Sequence, residues 1–222
     1  LEEFVIPDTA EKIEWWAFDH CTGLKSVTIP DSVTSVGEYS FQYCSVLESL
    51  IFPDSVTDFG SAAYICQYCS SLKDVVLPKN TTSIPTDAFR DCASLVNITI
   101  PDGVEGIFGF TGCSSLKSIN IPDSTLYIGN FDGCTSLQEI TIPDSVISIR
   151  SYYDGTIGKK GAFEGCTSLQ KVTLEGSSLQ EIPDNCFKSC SSLSDVVIPE
   201  SVSRIGDSAF SGCAIGGDSF AL

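Results

Sequence analysis

The sequence predicts a single α/β solenoid, about nine turns of one roughly 23-residue unit. Three observations predict it. A leucine returns at Leu1, Leu24, Leu47, Leu72, Leu95, Leu116, Leu137, Leu169 and Leu193, at intervals of 23, 23, 25, 23, 21, 21, 32 and 24 residues. A phenylalanine column returns with it, each member three residues before a cysteine: Phe18, Phe41, Phe89, Phe110, Phe131, Phe163, Phe187 and Phe210. Between them, a short alternating apolar run is closed by proline in eight of the nine units.

Each part of the unit has a local reason, and Leu24 to Val46 shows them all. Val27 and Ile29 alternate with Thr28 at period two, which predicts a short strand. Pro30-Asp31 ends it, because proline has no amide to give to a ladder. Val33 and Val36 turn inward again, and Gly37 permits a tight bend. Ser40, Phe41 and Cys44 then follow at helix-like spacing, which predicts one helical or 3₁₀ turn closing the coil. No unit can bury its apolar side alone, so stacked units must share one core in which every position becomes a ladder. The phenylalanine ladder is a large part of it, at roughly 1.5–3 kcal/mol per buried ring.

The pattern L-x-x-V-x-I-P-x-S-V-x-x-I-G-x-x-A-F-x-x-C resembles the BspA-like class of leucine-rich repeats over essentially the whole chain. The resemblance implies a right-handed coil with a parallel sheet on its concave face. Short strands, turns or 3₁₀ and helical turns would form the other sides. It also implies a cell-surface or secreted, non-enzymatic protein for interaction or adhesion, with protein or glycan partners, host extracellular-matrix proteins among them.

Composition narrows the partners. Hydrophobic residues make up 42% of the chain, enough for a core. With 29 acidic against 12 basic residues the net charge is −17, which repels nucleic acid and anionic lipid. There is no apolar run of 18 residues, so no membrane insertion is expected. The chain has no methionine and opens on the first position of a unit. Residues 1–222 are therefore read as one domain cut from a longer surface protein.

Eleven cysteines raise the question of disulfides or metal. Nine share one column: Cys21, Cys44, Cys69, Cys92, Cys113, Cys134, Cys166, Cys190 and Cys213. Cys66 takes a phenylalanine position and Cys186 lies beside Phe187. Stacked side chains run parallel, whereas a disulfide needs them to converge. Reduced core thiols are expected, with Cys66 or Cys186 the places for any bridge. The Cys66-x-x-Cys69 pair, with Cys44 and Cys92 on adjacent turns, is the zinc alternative; it lacks a second pair at finger spacing. No cofactor is expected. His20 is the only histidine and takes a variable surface position, so catalytic triads are poorly supplied. A metal-dependent enzyme stays as the remote alternative.

Candidate binding residues fall in two places. The strand residues between core positions form an outward column: Val5, Thr28, Ile51, Val76, Thr99, Asn120, Thr141, Thr173 and Val197. They suit a sheet but lack the Trp, Tyr and Arg anchors of binding hot spots. The 32-residue interval carries an insertion with Tyr152, Tyr153, Lys159 and Lys160, and a projecting loop of this kind often binds. An aspartate row, Asp8, Asp31, Asp54, Asp102, Asp123 and Asp144, would either collect calcium or cap turns. Trp15 and Trp16 are adjacent, so one of them is expected to cover the end of the coil or to pack against a preceding repeat. Asn80 and Asn97 begin glycosylation-type triplets. The competing reading is an architectural spacer with no ligand of its own.

Overall fold

In the computed structural model, residues 2–57, 64–154 and 158–216 are described, and they wind into a β-solenoid. Nine passes of the front strand position, from Phe4 to Val196, make about eight full turns. Leu1, first of the leucine column, lies outside the described residues.

The front row contains Glu3–Val5, Ser26–Thr28, Ser49–Ile51, Asp74–Val76, Glu139–Ile142, Lys171–Leu174 and Asp195–Val197. Its pairs are parallel and in register: Phe4 with Val27, Leu50 with Val75, and Ile140 with Val172, which meets Val196. Residues 97–99 and 118–120 keep the alternation, with Ile98, Ile100, Ile119 and Ile121 buried, but do not pair as strands. A second row follows the front strands after a turn: Lys12–Ile13, Ser35–Val36, Ser83–Ile84, Gly106–Ile107, Tyr127–Gly129, Ser148–Arg150, Glu181–Ile182 and Arg204–Ile205. Four of these form one continuous parallel sheet from Ser83 to Arg150. Between the rows, the proline carbonyl accepts the amide three residues on, as in Pro30 to Val33 at 3.1 Å and Pro143 to Val146 at 3.0 Å. This is the turn expected from Pro-Asp-Ser.

The third side corrects the expectation of helical turns. No helix of any kind occurs among the described residues, so the all-β coil replaces the α/β one. The reason is in the backbone. Two residues past each core phenylalanine position the chain enters the left-handed region, as at Tyr43 (φ 57°), Asp91 (φ 58°) and Gly133 (φ 75°). A right-handed helix cannot run through such a residue. Instead the segment makes i to i+3 turns, Cys44 amide to Phe41 carbonyl at 3.2 Å and Leu47 amide to Cys44 carbonyl at 3.0 Å. Its other amides cross to the next coil, Phe41 to Ile65 and Tyr43 to Gln67, both at 2.9 Å. A β-turn repeats at three residues, close enough to the helical period to be mistaken for it.

The core is one file of side chains. Consecutive phenylalanine rings stack at 5.1–5.7 Å between centroids from Phe89 to Phe210, and Phe18 stacks on Phe41 at 5.2 Å. Cys66 fills the gap between Phe41 and Phe89 and is fully buried. All eleven cysteines are free thiols. From Cys44 onward each column thiol donates to the backbone carbonyl of the preceding coil's phenylalanine position: Cys44 to Phe18, Cys69 to Phe41, Cys92 to Cys66, and so on to Cys213 on Phe187, all at 3.0–3.2 Å. Burial pushes the Cys92, Cys113 and Cys134 thiols well above their ordinary pKa, so their reactive thiolate is suppressed.

Candidate functional site

The front column assigned from sequence is a real file. Val5 stands beside Thr28, Ile51 beside Val76, and Thr141 beside Thr173, which stands beside Val197. All face solvent, as do Thr99 and Asn120, and only Thr173 is half-buried. Where the ladder lapses, an open depression of about 400 Å³ lies on this face, lined in part by Asn120, Glu139, Thr141, Lys171, Thr173 and Glu175. Beside the column runs a file of alternating charge: Lys25 meets Glu2, and Lys73 meets Glu48, both at 3.1 Å.

The insertion folds back as an antiparallel hairpin, Tyr152–Asp154 against Gly158–Lys160. Its described side chains are held by the solenoid. The Tyr152 hydroxyl donates to Asp132 at 3.2 Å, and Thr111 donates to the other oxygen of the same carboxylate at 3.0 Å. Burial raises the Asp132 carboxyl above the usual carboxylate range, and those two donors pull it back. Burial, and then the Asp132 charge, push the Tyr152 phenol up in turn. Lys159 donates to Asp184 at 2.8 Å, and Lys160 lies 3.7 Å from Glu164. At the hairpin's base, the Arg150 guanidinium lies 4.1 Å from the centre of the Tyr127 ring and 5.5 Å from that of Phe108. Tyr152, Lys159 and Lys160 are thus brought together as struts. Tyr153 contributes its backbone to the hairpin; its side chain is outside the described residues.

The aspartates act between coils. Asp54 accepts the Lys79 amide at 3.0 Å and its ammonium at 2.8 Å, and Asp144 accepts the Ser177 amide at 2.7 Å. These contacts lower both carboxyls below their ordinary pKa, through the Lys79 ammonium at Asp54 and the Ser177 amide at Asp144. Among the described residues no three His, Cys, Asp or Glu side chains converge as they would around a metal ion.

The feature sequence reasoning missed lies on the turn side. In the first three coils the residues two before the core column, Trp16, Tyr39 and Tyr64, stack at 5.3 and 5.0 Å with their planes within 5°. Of those two after it, Tyr43 and Tyr68 stack at 4.7 Å, and His20 lies 4.4 Å from Tyr43 with its plane tilted by 30°. All six sit at positive φ. The signal was present as a repeated aromatic at fixed offset from the core column, overlooked because only the core columns were followed. Trp15 and Trp16 stand 55% and 50% exposed in the first coil, where Trp16 stacks on Tyr39.

Stacked coils, a shared core and open faces define a leucine-rich-repeat solenoid. The chain belongs to the BspA-type leucine-rich repeat family, whose model matches residues 1–109 and 106–218. No curated protein matches it. Among solved structures it is similar to a leucine-rich repeat protein from Bacteroides ovatus, with 25% identity, 96% of this chain and 77% of that one covered, and a TM-score of 0.54. It is also similar to a leucine-rich cell surface protein from Faecalibacterium prausnitzii, with 28% identity, 96% and 71% coverage, and a TM-score of 0.50. The pneumococcal vaccine antigen PcpA shares the fold at 17% identity, 96% and 70% coverage, and a TM-score of 0.50.

Proposed function

We propose that this solenoid is a non-enzymatic interaction or adhesion module displayed at a cell surface or secreted, with a protein or glycan partner. The observation that carries the reading is the uncovered front column, in which Thr28, Ile51, Val76, Thr99, Asn120 and Thr141 all face solvent along the stacked coils. Rigid presentation lowers the ordering cost of binding. The likeness to a protein described as a leucine-rich cell surface protein supports the location, and no helix of the described residues is long and apolar enough to cross a membrane. The spacer reading draws support from that column's lack of Trp, Tyr and Arg anchors. Folded protein is passed over immobilised extracellular-matrix proteins and a glycan array. Saturable binding of one of them is expected. Failure on every surface, with the melting transition intact, leaves the spacer.

A further inference from the structure

The paired aromatic ladders on the turn side carry more information than the front column. Six bulky side chains occupy left-handed backbone there, a conformation that strains a non-glycine residue. Ring stacking works against that strain. Stacking offsets only part of that strain, and Trp15, Trp16, His20 and Tyr43 stand exposed on this side. Tyrosine and tryptophan give rigid, amphipathic contact surface at low entropic cost, which is why interfaces concentrate them.

From this geometry we infer that the turn side of the first three coils docks a basic, arginine-bearing polypeptide segment. The inference rests on reading the solenoid as an interaction module. Charge points to the partner. Residues 14–23, 37–46 and 64–71 carry Glu14, Asp19 and Glu38 but no lysine or arginine, in a chain of net charge −17. The molecule also makes the expected contacts within itself. In the fourth coil the position between the ladders, filled by Gln42 and Gln67 above, is Arg90, bound to Asp87 at 3.2 Å and Asp91 at 3.4 Å. Further on, Arg150 lies over Tyr127. An incoming arginine has the same two contacts open to it in the first coils: a ring of the tryptophan pair and a neighbouring carboxylate. Ring geometry disfavours a sugar. Tyr39 and Tyr43 are each sandwiched between two rings, so they offer edges and hydroxyls rather than free faces for a pyranose to lie on.

Trp15 and Trp16 are the only tryptophans, so intrinsic fluorescence reports on this surface alone. The full chain is titrated with a short peptide of alternating arginine and serine, with the same peptide carrying citrulline for arginine, and with cellohexaose. The arginine peptide is expected to shift the emission saturably, at least about tenfold tighter than the citrulline peptide. Raising salt from 0.05 to 0.5 M should weaken it severalfold, as screening requires. The triple variant His20→Gly, Tyr43→Gly, Tyr68→Gly retains the tryptophans and uses the residue later coils place there. It should lose about tenfold in affinity with the melting transition kept. The pair Glu14→Gln, Glu38→Gln should lose severalfold and keep the fold by a wider margin. Equal response to the citrulline peptide, response to cellohexaose alone, no response to the arginine peptide at millimolar concentration, or unchanged binding by both variants each overturns the inference. If the parent and the triple variant hold one matrix protein equally and neither binds the peptide, this surface is wrong and the module reading survives. If neither binds anything, both fall.

Discussion

The turn side of coils one to three and that of coils five to seven share one backbone and solve its central problem differently. Two residues past the core column, the early coils place His20, Tyr43 and Tyr68, and the later ones Gly112, Gly133 and Gly165, all at positive φ. Glycine meets the left-handed requirement without strain. The early coils accept strain and recover part of it through stacking, which works only because the same residue type recurs one coil away. At Gly112 a Cβ would in addition have to displace the end of the Asp91 side chain. At Gly133 the nearest atoms lie 3.6 Å away, so only the φ angle demands glycine. A repeat protein can thus change its surface coil by coil while its core stays constant, and the surface that departs from the cheapest residue is the informative one.

The comparison breaks most visibly if the core is not shared. Phe131→Ala, between two stacked rings, should destabilise the whole chain by about 3–5 kcal/mol in chemical denaturation, the usual cost of deleting a buried ring. A separate early transition in the melt would show that the two halves unfold independently. Gly112→Tyr comes next, with a loss of at least about 1–2 kcal/mol from φ strain, plus the collision at Asp91. The reverse change, Tyr43→Gly, should move stability by no more than about 1 kcal/mol, because lost stacking and relieved strain offset. Equal costs for the two would remove the distinction drawn here.

Two smaller effects sharpen it. The thiol ladder runs through both halves, so native protein at pH 8 should react with a thiol reagent far more slowly than protein in denaturant, where all eleven cysteines become available. Cys21 and Cys213, at the ends and half-exposed, should react first, Cys213 slowly because burial pushes its pKa to about 11. The last effect is confined to the later coils. The Lys159 ammonium, the Asp207 amide and Arg204 hold the Asp184 carboxyl down at about 2, against 3.8 for the free group. Between those values the folded state binds fewer protons than the unfolded one. The stabilisation is complete above about pH 4 and disappears as pH falls through about 2. Asp184→Asn should flatten that part of a melting-temperature profile; an unchanged profile would show that these contacts contribute nothing measurable.

Much of the fold was legible in the chain. From the second coil to the eighth the leucine, phenylalanine and cysteine columns are buried, and the alternation of Val27, Thr28 and Ile29 placed the inward and outward residues correctly. The Pro-Asp-Ser turn was readable because proline and aspartate act locally. The closing turn was misread because Ser40, Phe41 and Cys44 are spaced as a β-turn and a helix both allow. The candidate site was less legible. The front column was found at the right exposure, the hairpin residues were found but not their engagement with Asp132, Asp184 and Glu164, and the aromatic ladders were missed.

The amino-acid order alone determined the unit, its length, the register between units and the identity of every core column, because burial of a periodic apolar pattern is a property of the pattern itself. Only the tertiary structure decided which amide of one coil meets which carbonyl of the next, that the thiols point at the coil behind them, and that Tyr39 lies between Trp16 and Tyr64. Those contacts join residues more than twenty positions apart, and their geometry depends on a left-handed backbone angle that side-chain periodicity does not encode.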